Sequence, residues 1–236
     1  MHALPDYTIY PLGDTAITID FGNHIDKSIN EIVLSLHTHI STQPFKGFIE
    51  SVPAYSSLTV YYDPWLLHNE CKWELTISEL VTQKIKQVIQ QVQQANTIVP
   101  RQISVPVCYE TPYATDMKTV CLAKRMTRQE IIHLHTIQRY RVYMLGFLPG
   151  FAYMGEIDER LLMPRKPAPQ IIKAGSVGIT GRQTGIYPLQ SPGGWNIIGR
   201  TPVKLFESNG DTVTTLFQPG DIVQFHSITS YEFEHY

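Results

Sequence analysis

Apolar and polar residues alternate near the start of the chain with the period of two that predicts β-strands. Ile17, Ile19 and Phe21 are separated by polar residues, so their side chains point to one face of a half-buried strand. Three further short strands are predicted over residues 7–12, 48–52 and 58–62.

Two other segments of this half show the helical period. Asp26 is a typical N-cap, and the apolar residues between Ile29 and Ile40 recur on one helical face. Thr76 and Glu79 have capping-box spacing and open a second amphipathic segment. Two strands, a helix, two strands and a helix predict a small N-terminal domain over residues 1–97, in an α+β chain.

The second predicted domain, residues 98–236, begins with a strand at Ile103–Cys108. Thr111–Pro112 predicts a helix start with proline in the first turn. Thr127 and Glu130 form another capping box, before a second helix. We therefore place the domain boundary between residues 96 and 101.

Glycine and proline dominate the segment that follows. Ten of the 15 glycines lie between Gly146 and Gly199, which disfavours long helices and predicts short strands joined by tight turns, as in a small barrel. Residues 218–221, with sequence QPGD, are typical of a type II turn. Asn209-Gly210 predicts a hairpin.

Charge is distributed unevenly along the chain. The net charge is −2, but residues 139–204 carry nine basic and only three acidic side chains. A local positive excess favours an anionic ligand such as a carboxylate or phosphate. The balance does not indicate a nucleic-acid-binding protein, whose domain is usually basic throughout.

Several function classes lack their usual signatures. No run of 18 apolar residues predicts a membrane span, and the N-terminal residues do not resemble a secretory signal, so we expect a cytoplasmic protein. Cys71, Cys108 and Cys121 lack metal-site spacing and are expected to be reduced thiols. GxxxxGK[ST], HExxH and GxSxG are absent, and we predict no metal site.

The glycine-rich segment also contains groups that could form a binding site. Arg182 and Arg200 could hold a carboxylate or phosphate with both arms of the guanidinium, and Tyr187 and Trp195 could wall a pocket. His135 shares a helix face with apolar residues, so it is either a packing residue or a proton-transfer group. The glycines themselves either let the backbone approach a ligand or only make turns.

Three motifs carry a family resemblance: YRVYMLGFLPGF, AGSVGITGRQTGIYP and SPGGWNIIGRTP. They closely resemble the family that contains the B-type subunit of 5-oxoprolinase (PxpB), the kinase inhibitor KipI and allophanate hydrolase subunit 1. The resemblance is strongest over residues 135–206. It implies a cyclophilin-like β-barrel and a C-type partner (KipA/PxpC type), with an A-type partner completing the enzyme.

The resemblance also implies a reaction and its participants. We expect a subunit, inactive alone, of an enzyme that opens 5-oxoproline to glutamate at the expense of ATP and Mg²⁺. The expected catalytic residues are His135, Arg182 and Arg200. The expected substrate-binding residues are Gly175, Ser176, Gln183, Thr184, Tyr187, Gly193, Gly194 and Trp195.

Two alternatives remain open within the same family. The chain could inhibit a sensor histidine kinase, as KipI does, with a docking face and no chemistry. It could instead serve an allophanate- or urea-degrading amidohydrolase, because all of these substrates are small amides. Peptidyl-prolyl isomerase activity would rest on fold analogy alone.

Overall fold

The computed structural model describes residues 5–70, 75–92, 100–210 and 212–236. The chain divides into two compact units, Met1–Val99 and Pro100–Tyr236. The boundary predicted after residue 97 and the thiol of Cys71 both lie outside the described residues. No helix in the described part of the chain is long and apolar enough to cross a membrane.

The first unit is a four-stranded antiparallel sheet covered by helices. Its elements are β1 (Thr8–Pro11), β2 (Ala16–Asp20), α1 (Lys27–Thr42), β3 (Phe48–Pro53), β4 (Ser57–Tyr62), α2 (Pro64–His68) and α3 (Ile77–Val92). The strand order is β1-β2-β4-β3. The alternating residues of the strands and the apolar stripes of α1 and α3 meet in one core.

Both predicted helix starts of this unit are confirmed. The Asp26 carboxylate accepts a hydrogen bond from the Ile29 amide at 2.9 Å. Thr76 and Glu79 form a capping box: the Thr76 amide donates to the Glu79 carboxylate at 2.7 Å, and the Glu79 amide donates to the Thr76 hydroxyl at 3.3 Å. The short helix α2 is missing from the sequence prediction, because its five residues are too few to show a helical period.

The second unit is built on a closed seven-stranded barrel, which confirms the predicted barrel. Its strands are β5 (Gln102–Cys108), β6 (Tyr140–Leu145), β7 (Ala152–Gly155), β9 (Ser176–Thr180), β10 (Gln183–Ile186), β12 (Asn196–Arg200) and β15 (Ile222–Ile228). They follow the order β10-β7-β6-β15-β5-β12-β9, and β9 pairs with β10 to close the ring.

Smaller elements surround the barrel. They are α4 (Met117–Lys124), α5 (Arg128–Ile137), β8 (Gln170–Ile172), β11 (Ser191–Gly193), β13 (Phe206–Asn209), β14 (Thr212–Thr215) and α6 (Ser230–Glu234). β8 pairs with β11 and β13 pairs with β14, so the predicted hairpin at Asn209-Gly210 is confirmed. The turn at residues 218–221 is confirmed by the positive φ of Gly220, 96°, and by the bond from the Asp221 amide to the Gln218 carbonyl.

One helix start was predicted in the wrong place. Thr111–Pro112 lies in a turn, and α4 begins only at Met117. The backbone amide of the preceding residue, Asp116, donates to the carbonyl of Ile197 in β12 at 2.9 Å, and the Ile197 amide donates to the Asp116 carboxylate at 2.7 Å. That tertiary contact sets the helix start. The capping box of Thr127 and Glu130 is confirmed at the start of α5.

Candidate functional site

An open pocket with a volume of about 280 Å³ lies beside the barrel in the second unit. Four aromatic side chains form its wall, at Phe151, Tyr153, Tyr187 and Trp195. Phe151 is central, with ring centroids 4.8 Å from Tyr153, 5.2 Å from Tyr187 and 5.5 Å from Trp195. The edge-to-face arrangement of Phe151 on Tyr187 and Trp195 is a favourable geometry and fixes the shape of the wall.

Two paired glycines allow the indole of Trp195 to lie on the barrel. Gly178 of β9 and Gly185 of β10 are directly opposite each other. A Cβ atom would lie 3.0 Å from the Trp195 Cβ at Gly178, and 3.0 Å from its ring at Gly185. Since both positions lack a side chain, Trp195 packs closely on the strands and is only 2% exposed.

A second close approach involves the two consecutive glycines. A Cβ atom at Gly193 would lie 2.5 Å from the Tyr187 hydroxyl oxygen, whereas one at Gly194 would meet nothing closer than the Lys166 carbonyl at 3.6 Å. Burial raises the pKa of Tyr187, and a backbone hydrogen bond from Trp195 opposes that rise. Gly193 therefore makes room for a fixed, neutral phenol in the pocket wall.

The opposite side of the pocket is a proline-rich segment that includes Arg165, Lys166, Pro167 and Pro169. The Lys166 amide donates to the Gly194 carbonyl at 2.8 Å, which ties this segment to the glycine pair. Its ammonium group pairs with Asp116 at 2.5 Å and also contacts Gln170 at 2.9 Å. The positive charge of Lys166 is therefore neutralised by the Asp116 carboxylate.

Arg165 differs from its neighbour. Its side chain is exposed at the pocket, and within the described ranges it has no ion-pair partner. Its positive charge lowers the pKa values of Tyr153 and Tyr187, although burial raises both by more. The guanidinium field thus reaches the aromatic wall.

The mouth of the pocket carries an exposed aromatic side chain. Phe147 is 62% exposed and has a φ of 69°, a region that bulky residues seldom adopt. Its ring packs at right angles on Phe151, with centroids 5.7 Å apart. An exposed ring on a strained backbone at a pocket rim is typical of a functional segment.

The structure brings together four of the sequence-predicted site residues, namely Tyr187, Gly193, Gly194 and Trp195. Gly175 and Ser176 lie nearby but outside the lining. The Gly175 amide donates to the Tyr187 carbonyl at 2.7 Å, and the Tyr187 amide donates to the Ser176 carbonyl at 2.9 Å. These two residues hold the backbone of Tyr187, and their role in substrate binding stays a prediction.

His135 is enclosed in the barrel, not in the pocket. It is 0% exposed and stacks on Phe225 at 4.6 Å. The Thr184 hydroxyl donates to the Gly178 carbonyl at 3.1 Å, so the 2.9 Å contact requires His135 Nε2 to donate to Thr184. Nδ1 then accepts from the Tyr109 hydroxyl at 2.7 Å.

These bonds determine the chemistry open to His135. Both ring nitrogens are satisfied in the neutral form, and burial lowers the pKa of His135 to about 3. The imidazole is therefore neutral near pH 7 and separated from solvent, which favours a structural role, and proton transfer by His135 stays a prediction of the sequence. Thr184, expected to bind substrate, is likewise buried at 0% exposure as its partner.

Neither predicted arginine lines the pocket. The Arg182 guanidinium is exposed and pairs with Glu156 at 2.8 Å and Glu159 at 3.5 Å. Arg200 donates through Nε to the Ala174 carbonyl at 2.7 Å. These contacts give the two side chains structural partners, so the structure does not join them to the aromatic pocket.

The remaining candidate, Gln183, begins β10 opposite Thr180 and Gly155 and also lies outside the lining. Besides three prolines, the residues that the sequence prediction missed in the pocket are Phe147, Phe151, Tyr153, Arg165 and Lys166. The first three lie within the glycine-rich segment already singled out, and the two cations belong to its positive excess. No sequence pattern indicated that Arg165 and Lys166, among the basic residues of this segment, would pack against Gly194.

The described residues contain no group of three His, Cys, Asp or Glu side chains placed to hold a metal ion. The polar side chains at the pocket are instead the phenols of Tyr153 and Tyr187, the Lys166 ammonium, which is paired with Asp116, and the Arg165 guanidinium, which has no ion-pair partner among the described residues. Such a set suits a small anion with an apolar body, which the aromatic wall can cover. The volume is at the lower end of the range for small-molecule sites, roughly 300–1,000 Å³.

Comparison with known proteins shows that nearly the whole chain matches one protein family. The family described as "Carboxyltransferase domain, subdomain C and D" matches residues 7–216. A Bacillus subtilis (strain 168) protein, named as the B-type subunit of 5-oxoprolinase, is 39% identical over 232 residues, covering 98% of this chain and 96% of that protein.

Solved structures agree with this relationship. The crystal structure of TTHA0988 is 31% identical, with a TM-score of 0.75, over 91% of this chain; the match spans only 40% of the TTHA0988 chain. The K. lactis urea amidolyase is 18% identical, with a TM-score of 0.76 over 98% of this chain and 15% of that one, and it shows the fold alone. The chain therefore belongs to the carboxyltransferase subdomain C and D family, together with the B-type subunits of 5-oxoprolinase.

Proposed function

We propose that this chain is one subunit of an ATP-dependent 5-oxoprolinase and that the aromatic pocket holds the small anionic amide. The overall reaction converts 5-oxoproline, ATP and water to glutamate, ADP and phosphate. The observation that supports this most is the pocket itself, where Tyr187 and Trp195 form an apolar wall opposite Arg165. Relatives named as subunits support a role within a larger enzyme.

The pocket residues account for binding and orientation of a ring amide. The faces of the aromatic wall cover the methylene groups of the ring, and the Tyr187 hydroxyl, which accepts from the Trp195 backbone, still has its proton to donate. The ring carbonyl is a suitable acceptor for that proton. Such contacts position the amide and exclude water from one of its faces.

The nucleotide requires a different location. A volume of about 280 Å³ suits an amide the size of 5-oxoproline and is too small for a nucleoside triphosphate. Mg²⁺ is usually held by nucleotide phosphates together with one or two carboxylates. We therefore propose that ATP, with Mg²⁺ as its counter-ion, binds at a site shared with the partner subunit.

The test is to assay ATP hydrolysis that depends on 5-oxoproline. The chain would be measured alone, with a C-type partner, and with the C-type and A-type partners together, and urea and allophanate would be offered in parallel. We expect turnover of 5-oxoproline only in the assembled complex. Activity restricted to urea or allophanate would reject 5-oxoproline as the substrate. Full activity of the chain alone would reject the proposal that the active site is shared with partner subunits. Inhibition of a histidine kinase stays a prediction of the sequence resemblance.

A further inference from the structure

Arg165 is held at the pocket by bonds on both sides of it in the chain. The Pro164 carbonyl accepts a hydrogen bond from the Asn196 side chain at 2.9 Å. The Lys166 amide donates to the Gly194 carbonyl at 2.8 Å. The backbone at Arg165 is therefore fixed against the segment that carries Trp195, while its guanidinium remains exposed and unpaired within the described residues.

Two neighbouring cations at the pocket have different surroundings. Lys166 is paired with Asp116, and its side chain is only 14% exposed. Arg165 instead lines the pocket beside the aromatic rings, where its side chain is exposed and has no ion-pair partner among the described residues, so its guanidinium is available to an anion. Its planar guanidinium matches a carboxylate with two parallel bonds.

We propose that Arg165 binds the carboxylate of a small cyclic amide whose ring lies against Tyr187 and Trp195. Arg165 is thus the residue that selects an acidic lactam over the same ring without its carboxylate. This inference rests on the proposed function, because it assigns a substrate class to the same pocket. It differs from the sequence prediction, which gave the anion to Arg182 and Arg200.

The size of the pocket limits the ligand further. With about 280 Å³ and aromatic rings on one side, the site favours a compact, flat body with one charged end. A single anchor at that end makes the discrimination between two ligands with the same ring depend on the carboxylate. Binding of so few atoms is expected to be weak, so discrimination between two ligands is more informative than affinity alone.

The experiment compares two ligands that differ only in the carboxylate, 5-oxoproline and 2-pyrrolidinone. Dissociation constants would be measured by calorimetry or NMR titration on the full chain and on its assembled complex. We expect the parent to bind 5-oxoproline about tenfold or more tightly than 2-pyrrolidinone, as a charged hydrogen-bonded pair requires. Arg165→Gln should reduce that ratio to within about threefold, mainly because 5-oxoproline binds more weakly to the variant.

The matched control is Arg128→Gln, which removes the same charge from an exposed position on α5 outside the pocket lining. It should keep the parental ratio. Equal binding of both ligands by the parent, no binding of either, or an unchanged ratio in Arg165→Gln would overturn the assignment. Failure of the proposed function is a separate result, namely a complex that binds 5-oxoproline through Arg165 but does not turn it over.

Discussion

Gly193 lies directly against the ring of Tyr187, so that a single added methyl group would occupy the position of the phenol. The Cβ atom would lie 2.5 Å from the hydroxyl oxygen and 2.7 Å from the nearest ring carbons. Tyr187 is 2% exposed and packed against Phe151 and Trp195, so an added methyl group would force its ring out of this packing. The shape of the pocket wall depends on this contact.

Gly193→Ala should therefore displace Tyr187 and destabilise the second unit by about 1–3 kcal/mol, the usual cost of overpacking. Gly194→Ala is the control, since the nearest atom would lie at an ordinary 3.6 Å. Urea unfolding of both variants and the near-ultraviolet dichroism of the aromatic rings provide the measurement. Equal effects of the two substitutions would show that Gly193 is not sterically special.

A second pair of glycines separates backbone strain from crowding. Gly175 has a φ of 80°, and a Cβ atom there would collide with the Thr201 carbonyl oxygen. Gly181 has a φ of 49° with nothing within 4 Å. Gly175→Ala should cost well over the roughly 1 kcal/mol expected for Gly181→Ala, because only the former adds a backbone clash to the unfavourable φ. Thermal unfolding of both variants checks this order, and the reverse order would refute it.

The neutral state of His135 makes stability depend on pH. Its pKa is about 3 in the folded chain, below the usual 6.5, so the unfolded chain takes up the proton first as the pH falls. The free energy of unfolding should therefore decrease below about pH 6.5, with a contribution of about 2 kcal/mol between pH 7.5 and pH 5.

His135→Gln should remove that contribution, while His133→Gln, at an exposed position of the same helix, should keep it. Urea unfolding at pH 7.5 and pH 5 measures the difference for the parent and both variants. An identical loss of stability on acidification in the parent and in His135→Gln would contradict the burial of a neutral imidazole.

Arg182 is expected to contribute little to folding or turnover. Its ion pairs with Glu156 and Glu159 are formed between exposed side chains, 38% to 79% accessible, where solvent screens the attraction. Arg182→Gln should change the free energy of unfolding by less than about 1 kcal/mol. A large loss of activity of the assembled complex at unchanged stability would show that Arg182 takes part in substrate binding or turnover.

Much of the fold could be predicted from local patterns. The strand at Ile17 and Ile19 and the capping boxes at Thr76 and Thr127 depend on neighbours close in sequence, and all three are confirmed, although Thr18 is buried as well and the strand is not half-buried as predicted. Thr111–Pro112 misled the prediction because the start of α4 is set by contacts between Asp116 and Ile197, which are distant in sequence.

The site shows the same limit more strongly. The glycine-rich segment, Tyr187 and Trp195 could be singled out from the sequence, yet which cation meets them depends on how residues 164–169 fold back on Gly194. The sequence contains nine basic residues between positions 139 and 204, and nothing in their spacing distinguishes Arg165 from Arg182. Only tertiary structure separates an arginine paired with two glutamates from one that faces an aromatic wall.

The role of Arg165 in turnover can be measured as the kcat/KM for 5-oxoproline-dependent ATP hydrolysis by the reconstituted complex. Three forms of the chain would be compared: the parent, Arg165→Gln and Arg128→Gln. We predict that Arg165→Gln loses about tenfold or more in kcat/KM, equivalent to about 1.4 kcal/mol, while assembly and the Arg128→Gln control remain at the parental level. Parental kcat/KM in the assembled Arg165→Gln complex would contradict the claim that this pocket binds the substrate.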